Sequence, residues 1–435
     1  MKLLCGYNVN IDALCKVIPS RISSLFSKTD ARMGGLGRHQ RQSIETINDF
    51  FSGLLHCMEG GVGGEMLISD KKIFDFLKKE FLRNSSLRMG GNAGNMCNAL
   101  SELGAEFVFV NAPSLPELQA KLFSAGGARV PVLRNKKVVF LHPAKAVRKG
   151  DEELIHFIFE FQRGTSISIG KKKIVVPREN RFIATWDDAN TTVRLAQHFR
   201  DASMKIIRDI DGAILTGFHL MSENVFKDSE SVQLAKTWRE ENEDLPFHYE
   251  LGHFQNRDVM REVLRELSFD SMGMNEDELA NCMSLLGHKN LEKKIMASKS
   301  SVDVLEGAEV MIRKFALARI CIHTREFSIT LLRNGGAEEE TKALNFGSER
   351  AAAFASFEDV GTECKDSSQS ITGVREIENL KKKIEWDERG FGHRKDLAVC
   401  IVPSRICSKP KRTVGMGDVF TAATFFSMRE NATRT

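Results

Sequence analysis

Residues 246–279 read P-F-H-Y-E-L-G-H-F-Q-N-R-D-V-M-R-E-V-L-R-E-L-S-F-D-S-M-G-M-N-E-D-E-L, and this stretch decides the fold. A run of strand character at 246–251 leads through a polar turn into Arg257–Leu267, where apolar residues recur at helical spacing, and then into a second strand at 269–274. Strand, helix, strand is the unit that lays two parallel strands side by side with a helix across one face. The alternation continues outward, with strands at 212–216 (G-A-I-L-T), 319–323 (R-I-C-I-H) and 397–402 (L-A-V-C-I-V), and Val304–Phe315 among the helices between them. This predicts an α/β domain, doubly wound, its sheet mostly parallel with helices on both faces. Ligand-binding groups in such a fold gather beyond the carboxyl ends of the strands. Polar residues fall there: His219, Glu250, Asn275 and Thr324 each close or follow a strand.

Toward the N-terminus the pattern changes. Residues 3–7 form a short apolar strand that ends in Asn8, Asn10 and Asp12. Helical spacing covers 42–58, a glycine segment E-G-G-V-G-G-E occupies 59–65, and a helix is expected around 70–82. Residues 88–103, R-M-G-G-N-A-G-N-M-C-N-A-L-S-E-L, read as a glycine turn feeding a helix, with a strand at 106–111 behind it. From 155 to 188 short strands follow one another (I-H-F-I-F-E-F, S-I-S-I, K-I-V-V, R-F-I-A-T-W), the pattern of a hairpin-rich sheet.

A chain of 435 residues suits two domains, or one large domain with a substantial insertion. Lysine and arginine number 62 against 58 aspartates and glutamates, and the net charge of +4 is spread along the chain. That argues against nucleic acid, which selects a concentrated basic face. Two basic clusters, Lys381–Lys383 and Lys409–Arg412, read as solvated faces. The nine cysteines include no C-x-x-C pair, and their odd number speaks against a disulfide framework. The N-terminal apolar run is too short for a signal peptide, and no stretch has the length to span a membrane. A cytoplasmic protein is expected.

The chemistry is concentrated at 413–425, T-V-G-M-G-D-V-F-T-A-A-T-F. Gly415 and Gly417 let backbone amides crowd toward one point, and the helix that follows aims its positive end there. Such a nest suits phosphate, and Asp418 stands where a carboxylate could take the proton of an attacking hydroxyl. Phosphoryl transfer to an alcohol follows as the expectation. Glu250, Glu278 and Asp418 supply carboxylates for a magnesium ion, which prefers oxygen ligands and keeps several waters. Each residue alone also fits an ordinary role: an edge-strand charge, a solvated helix residue, a helix-start acid.

The chain resembles the ADP-dependent sugar kinases, the glucokinase and phosphofructokinase family related to ribokinase-like enzymes. The resemblance is carried by Y-N-V-N-I-D-A (7–13), M-G-G-N-A-G (89–94), N-R-F-I (180–183), D-G-A-I-L-T-G-F-H-L-M (211–221), H-Y-E-L (248–251), G-M-N-E-D-E-L (273–279), H-T (323–324) and T-V-G-M-G-D (413–418), in the family's order. It implies a large nucleotide-binding domain (1–14, 88–140 and 188–435) and a smaller β-rich lid that binds sugar (15–87 and 141–187). It implies ADP as phosphoryl donor, Asp418 as general base, and the amides of Gly415 to Gly417 as the anion hole. Glu250 and Glu278 would organise magnesium, while Asn275, His323, Thr324 and Val414 would line the nucleotide. No G-x-x-x-x-G-K-[ST] loop is present, consistent with a phosphate site built around the late glycine turn.

For the sugar, Asn10, Asp12, Gly91 and Asn92 resemble the family's contacts to hydroxyl groups. Glu65 is similar to a glutamate of the glucose-phosphorylating members, and a carboxylate there favours neutral glucose over a sugar phosphate. Asp187 falls where phosphofructokinases resemble one another in having an arginine, which points the same way. Against this, Arg163 matches a basic residue of the phosphofructokinases, with Arg178 and Arg181 nearby. An ADP-dependent glucokinase is therefore expected, with fructose 6-phosphate or dual activity as the alternative. A protein that binds sugar and nucleotide without turnover is the reading from another class.

Overall fold

Leu3, Leu4 and Cys5 are all fully buried on strand Lys2–Gly6, as a strand covered on both faces must be. This strand lies inside a twelve-stranded sheet, between Gly212–Leu215 on one side and Phe107–Val110 on the other. The computed structural model describes residues 1–29, 43–254, 256–412 and 414–434. From Gly212–Leu215 the sheet continues through Phe247–Glu250, Ser271–Met274 and Arg319–His323, all parallel. The chain thus winds away from Lys2–Gly6 in both directions, and the carboxyl ends of these strands open on one rim. One apolar cluster includes Leu4, Ala213 and Tyr249, and a second includes Leu3, Cys5, Val108 and Ile214, so helices cover both faces.

Both margins of the sheet are antiparallel, which the sequence reading did not foresee. Phe327–Leu332 returns directly beside Arg319–His323 and pairs with Leu397–Pro403, while Ala128–Arg134 folds back onto Lys137–Leu141. Phe327–Leu332 follows the preceding strand after three residues, which leaves room for a hairpin and none for a crossover helix.

A separate six-stranded sheet runs in the order Ser43–Ile44, Gly64–Ile68, Asn180–Trp186, Ile155–Phe161, Asn10–Lys16, Ser86–Gly90. Strand Asn10–Lys16 belongs wholly to it, so the chain leaves the large sheet at 7–9 and not after residue 14. Period-two alternation explains this: Ile11, Ala13 and Cys15 enter the core of the small sheet, while Asn10 and Asp12 take the other face. The helix expected from residue 42 begins at Ile47, because Thr46 and Asp49 close a capping box there. Of the glycine segment, Gly60 ends that helix, 61–63 turn, and Gly64–Ile68 is a strand that holds Glu65 in the sheet. Among the described residues no helix is long and apolar enough to cross a membrane.

Candidate active site

A cavity of about 1100 Å³ is lined by strand ends of the large sheet and by residues of the small one. Asn10, Asp12, Glu65, Gly91, Asn92, Glu250, Asn275, Glu278, His323, Thr324, Val414, Gly415, Gly417 and Asp418 all border it, so residues scattered over the sequence meet in one place.

Asp418 is buried in the first turn of helix Met416–Arg434. The turn before it needs a glycine: Gly415 has φ of 81°, and a Cβ there would stand 3.0 Å from Asn95 Nδ2. Because the helix begins at Met416, its first amides have no intrahelical acceptor and are left for an anion. Thr413 of the same motif lies outside the described residues. Two amide groups clasp the carboxylate, Asn92 Nδ2 donating to Oδ1 at 2.7 Å and Asn95 Nδ2 to Oδ2 at 2.9 Å. Their orientation is forced. Arg412 can only donate, and its Nη2 lies 3.1 Å from Asn95 Oδ1, so the Asn95 amino group must face Asp418. Asn8 Nδ2 donates to Asn92 Oδ1 at 3.2 Å and does the same for Asn92. Burial raises the Asp418 carboxyl above its ordinary value, and the two amide donors offset this only in part. A buried carboxylate with raised proton affinity is suited to accept a proton.

Glu250 closes strand Phe247–Glu250 and is the centre of a second group. Its Oε1 lies 2.8 Å from His323 Nε2, and its Oε2 accepts from Thr421 Oγ1 at 2.9 Å. Burial works against a charged Glu250, but His323, and then His248, outweigh it and hold the carboxyl down to about 2. Burial likewise opposes a charged His323, yet Glu250 lifts its imidazole to about 9. Burial keeps His248 below its usual value. Asn275 and Glu278 form a capping box on helix Glu276–Leu285, Asn275 N donating to Glu278 Oε2 and Glu278 N to Asn275 Oδ1, both at 2.9 Å. Burial first, then the charge on Glu250, push the Glu278 carboxyl up to about 7. Among the described residues no three histidine, cysteine or acidic side chains form a ready metal cage. Glu250 and Glu278 border the same cavity as the glycine turn, and such oxygen donors fit a magnesium ion, which completes its shell with water and phosphate oxygens.

The face of the small sheet supplies a polar wall. Asn10 Nδ2 donates to Asp12 Oδ1 at 2.9 Å, while Asn10 Oδ1 is buried with no partner among the described residues. Glu65 Oε1 accepts from Thr185 Oγ1 at 2.8 Å. His156, Arg181 and His219 also line the cavity. Asp187 does not: it is buried behind the wall, with His156 Nε2 at 2.8 Å from its Oδ2 and Asn190 N donating to its Oδ1 at 2.9 Å. Burial would depress His156, but Asp187 more than reverses this and raises it to about 9, so the wall carries a cation where an acid was expected. Arg163 lies exposed in the turn after strand Ile155–Phe161, away from the cavity. Arg178 is spent on Gly61 O at 3.3 Å. Thr324 borders the cavity, but its hydroxyl is engaged in its own hairpin, donating to Phe327 O at 2.8 Å.

Sequence reasoning missed Asn95, Thr421, His156 and Arg412. Asn95 and Thr421 each stand three residues after a chosen residue on the same helix, so helical spacing could have found them. Arg412 was grouped with Lys409 and Lys411 as solvated. Those lysines are exposed, but Arg412 is buried, with Nε donating to Val414 O at 2.8 Å and Nη2 to Met89 O at 3.1 Å.

Residues 1–427 match the conserved region of ADP-specific phosphofructokinase/glucokinase. The ADP-dependent glucose/glucosamine kinase of Pyrococcus furiosus is 30% identical over 448 residues, covering 97% of this chain and 93% of that protein. The ADP-specific phosphofructokinase of Pyrococcus horikoshii is 26% identical, covering 99% of this chain and 98% of that one. A crystal structure of a phosphofructokinase from Pyrococcus horikoshii OT3 with AMP has the same fold, with a TM-score of 0.82 at 24% identity over 100% of this chain and 99% of that one. With a family match over nearly its whole length, the chain belongs to the ADP-specific phosphofructokinase/glucokinase family.

Proposed function

We propose that the protein phosphorylates glucose with ADP, giving glucose 6-phosphate and AMP. The observation that carries this reading is the clasped, buried Asp418 at the mouth of an anion-binding helix turn. Asp418 accepts the proton of the sugar's primary hydroxyl as that oxygen bonds to the β-phosphorus. The bond from that phosphorus to the bridging oxygen breaks, and AMP leaves with the bridging oxygen. The amides at Gly415 to Gly417 bind the equatorial phosphoryl oxygens as charge develops. Glu250 and Glu278 would hold magnesium, which supplies charge compensation on the phosphates when bound. Asn275, His323, Thr324 and Val414 border the nucleotide side. The small sheet serves as a lid that excludes water, a competing acceptor.

Glucose is favoured by Glu65, whose carboxylate stands on the wall of the small sheet where a ring hydroxyl can donate to it. Asn10 Oδ1, buried with no partner among the described residues, asks for another such donor, and Asp12, Gly91 and Asn92 line the same cavity. A second reading, fructose 6-phosphate as acceptor, is favoured by the cationic His156 and by Arg181 on the same wall. Purified protein with magnesium, ADP and each sugar decides between them through kcat/KM. Glucose preferred by tenfold or more (about 1.4 kcal/mol) supports the reading. Preference for fructose 6-phosphate overturns the sugar assignment. Tight binding with no AMP formed overturns the enzyme.

A further inference from the structure

Outside the cavity lining, a buried polar chain reaches Glu250 through residues that no step above uses. Glu340, on helix Ala337–Phe357, accepts two hydrogen bonds from Arg319, from Nε at 2.9 Å and from Nη2 at 2.7 Å. Arg319 Nη1 donates to Ser271 Oγ at 3.1 Å, and Ser271 Oγ lies 2.8 Å from His248 Nδ1. His248 Nε2 stands 3.5 Å from Glu250 Oε2 and has no hydrogen-bond partner among the described residues. Arg319, Ser271, His248 and Glu340 are all buried.

The direction of this chain follows from its first member. A guanidinium only donates, so the Ser271 oxygen accepts from Arg319 and its hydrogen is free for one acceptor. The oxygen could also accept from an Nδ1–H, but its own hydrogen would then have no acceptor among the hydrogen bonds described, so the arrangement that pairs it makes His248 Nδ1 the acceptor. The ring hydrogen is therefore on Nε2, the edge that faces Glu250.

We propose that Arg319 and Ser271, braced by Glu340, are positioning residues that fix His248 as its Nε2–H tautomer and thereby orient the Glu250 carboxylate toward a hard cation. This rests on the reading of Glu250 as a cation-organising group. Without the chain Glu250 keeps His323 at Oε1 and Thr421 at Oε2, but loses the polar N–H edge that stands 3.5 Å from Oε2. A purely structural role for Arg319 and Glu340, tying a strand to a helix, leaves Ser271 without a task. Ser271→Ala separates the two, since it removes the hydroxyl and spares the ion pair.

Nitrogen-15 shifts of the His248 ring in the cation-free wild-type protein test the tautomer directly. Protonated Nε2 and bare Nδ1 are expected; a protonated Nδ1 overturns the proposal. Ser271→Ala should mix the two tautomers and weaken Mn2+ binding in the presence of ADP about 10-fold, counted as free Mn2+ by electron paramagnetic resonance. Ser271→Thr, which keeps the hydroxyl, should restore both readouts. Wild-type protein that binds Mn2+ no better than ADP does alone overturns the cation reading of Glu250, while the ring shifts still decide the hydrogen-bond chain. Wild type that binds Mn2+ and a Ser271→Ala variant that binds it equally well overturn this inference alone.

Discussion

Replacing Asp418 by asparagine keeps the shape of the side chain and removes the proton acceptor. The two donors that face it cannot turn away, because Asn92 Oδ1 is held by Asn8 at 3.2 Å and Asn95 Oδ1 by Arg412 at 3.1 Å. The new amino group must then confront an amide donor that now lies 2.7 or 2.9 Å from a carboxylate oxygen. An unsatisfied donor of this kind costs about 1–3 kcal/mol. Part of that is offset, since burial already works against a charged Asp418. Before that offset the change in stability corresponds to about 2–12 °C in Tm, at about 2–4 °C per kcal/mol for larger domains, and the offset moves it toward the lower end. The barrier tells a different story. Loss of a positioned general base costs about 10²–10⁴ in rate, or roughly 3–5 kcal/mol. Coupled assay of glucose 6-phosphate at saturating ADP and magnesium should therefore show kcat reduced by that factor. The KM for glucose should move by less than about tenfold, since the base acts mainly in the transition state. The pH profile adds a second check. A base must be deprotonated, so wild-type kcat should fall as pH drops through a value above the ordinary aspartate range, and Asp418→Asn should lack that limb. A variant within tenfold of wild type, or one that keeps the limb, refutes the assignment.

Glu65→Ala should lower kcat/KM for glucose about 10–100-fold, the loss of one charged hydrogen bond, and spare fructose 6-phosphate; equal loss on both sugars would remove Glu65 from sugar selection. Arg412→Lys should reduce kcat about tenfold, because one ammonium cannot reach Val414 O, Met89 O and Asn95 Oδ1 together, and unchanged kcat would show that Asn95 needs no such support. His156 and His323 both have folded values of about 9, raised by carboxylates. Their stabilising contribution is fully present below the unfolded value of ~6.5 and is lost as pH rises through about 9, so Tm should decline over that window. A Tm that is flat or rising there would contradict both ion pairs.

Strand-helix-strand periodicity made the parallel sheet legible, since each buried strand sits between turn residues and a helix of clear spacing. The antiparallel margins were not legible, because an apolar run such as Phe327–Leu332 looks the same whichever way its neighbour runs. In the site, Asp418, Glu250 and Glu278 could be picked out as acids at strand and helix ends. Asp187 was read by its charge alone, yet what the cavity meets is its partner His156, and no sequence pattern announces a pairing across 31 positions. Arg412 was misread for a similar reason: a basic run says nothing about which member turns inward.

Asn92 follows strand Ser86–Gly90 of the small sheet by a single intervening residue, and it also grips the carboxylate of a helix that belongs to the large one. The Asp418 carboxylate is thus gripped by a residue at the joint of the two sheets, one position beyond the small sheet and on a helix that packs against the large one. If the small sheet closes over the sugar as proposed, it pulls on that grip through Gly91, and readiness to abstract a proton would then be coupled to readiness to enclose a sugar. An open cleft would loosen the acid's alignment at the moment when only water is at hand, and this would ration the hydrolysis of ADP without any residue dedicated to preventing it.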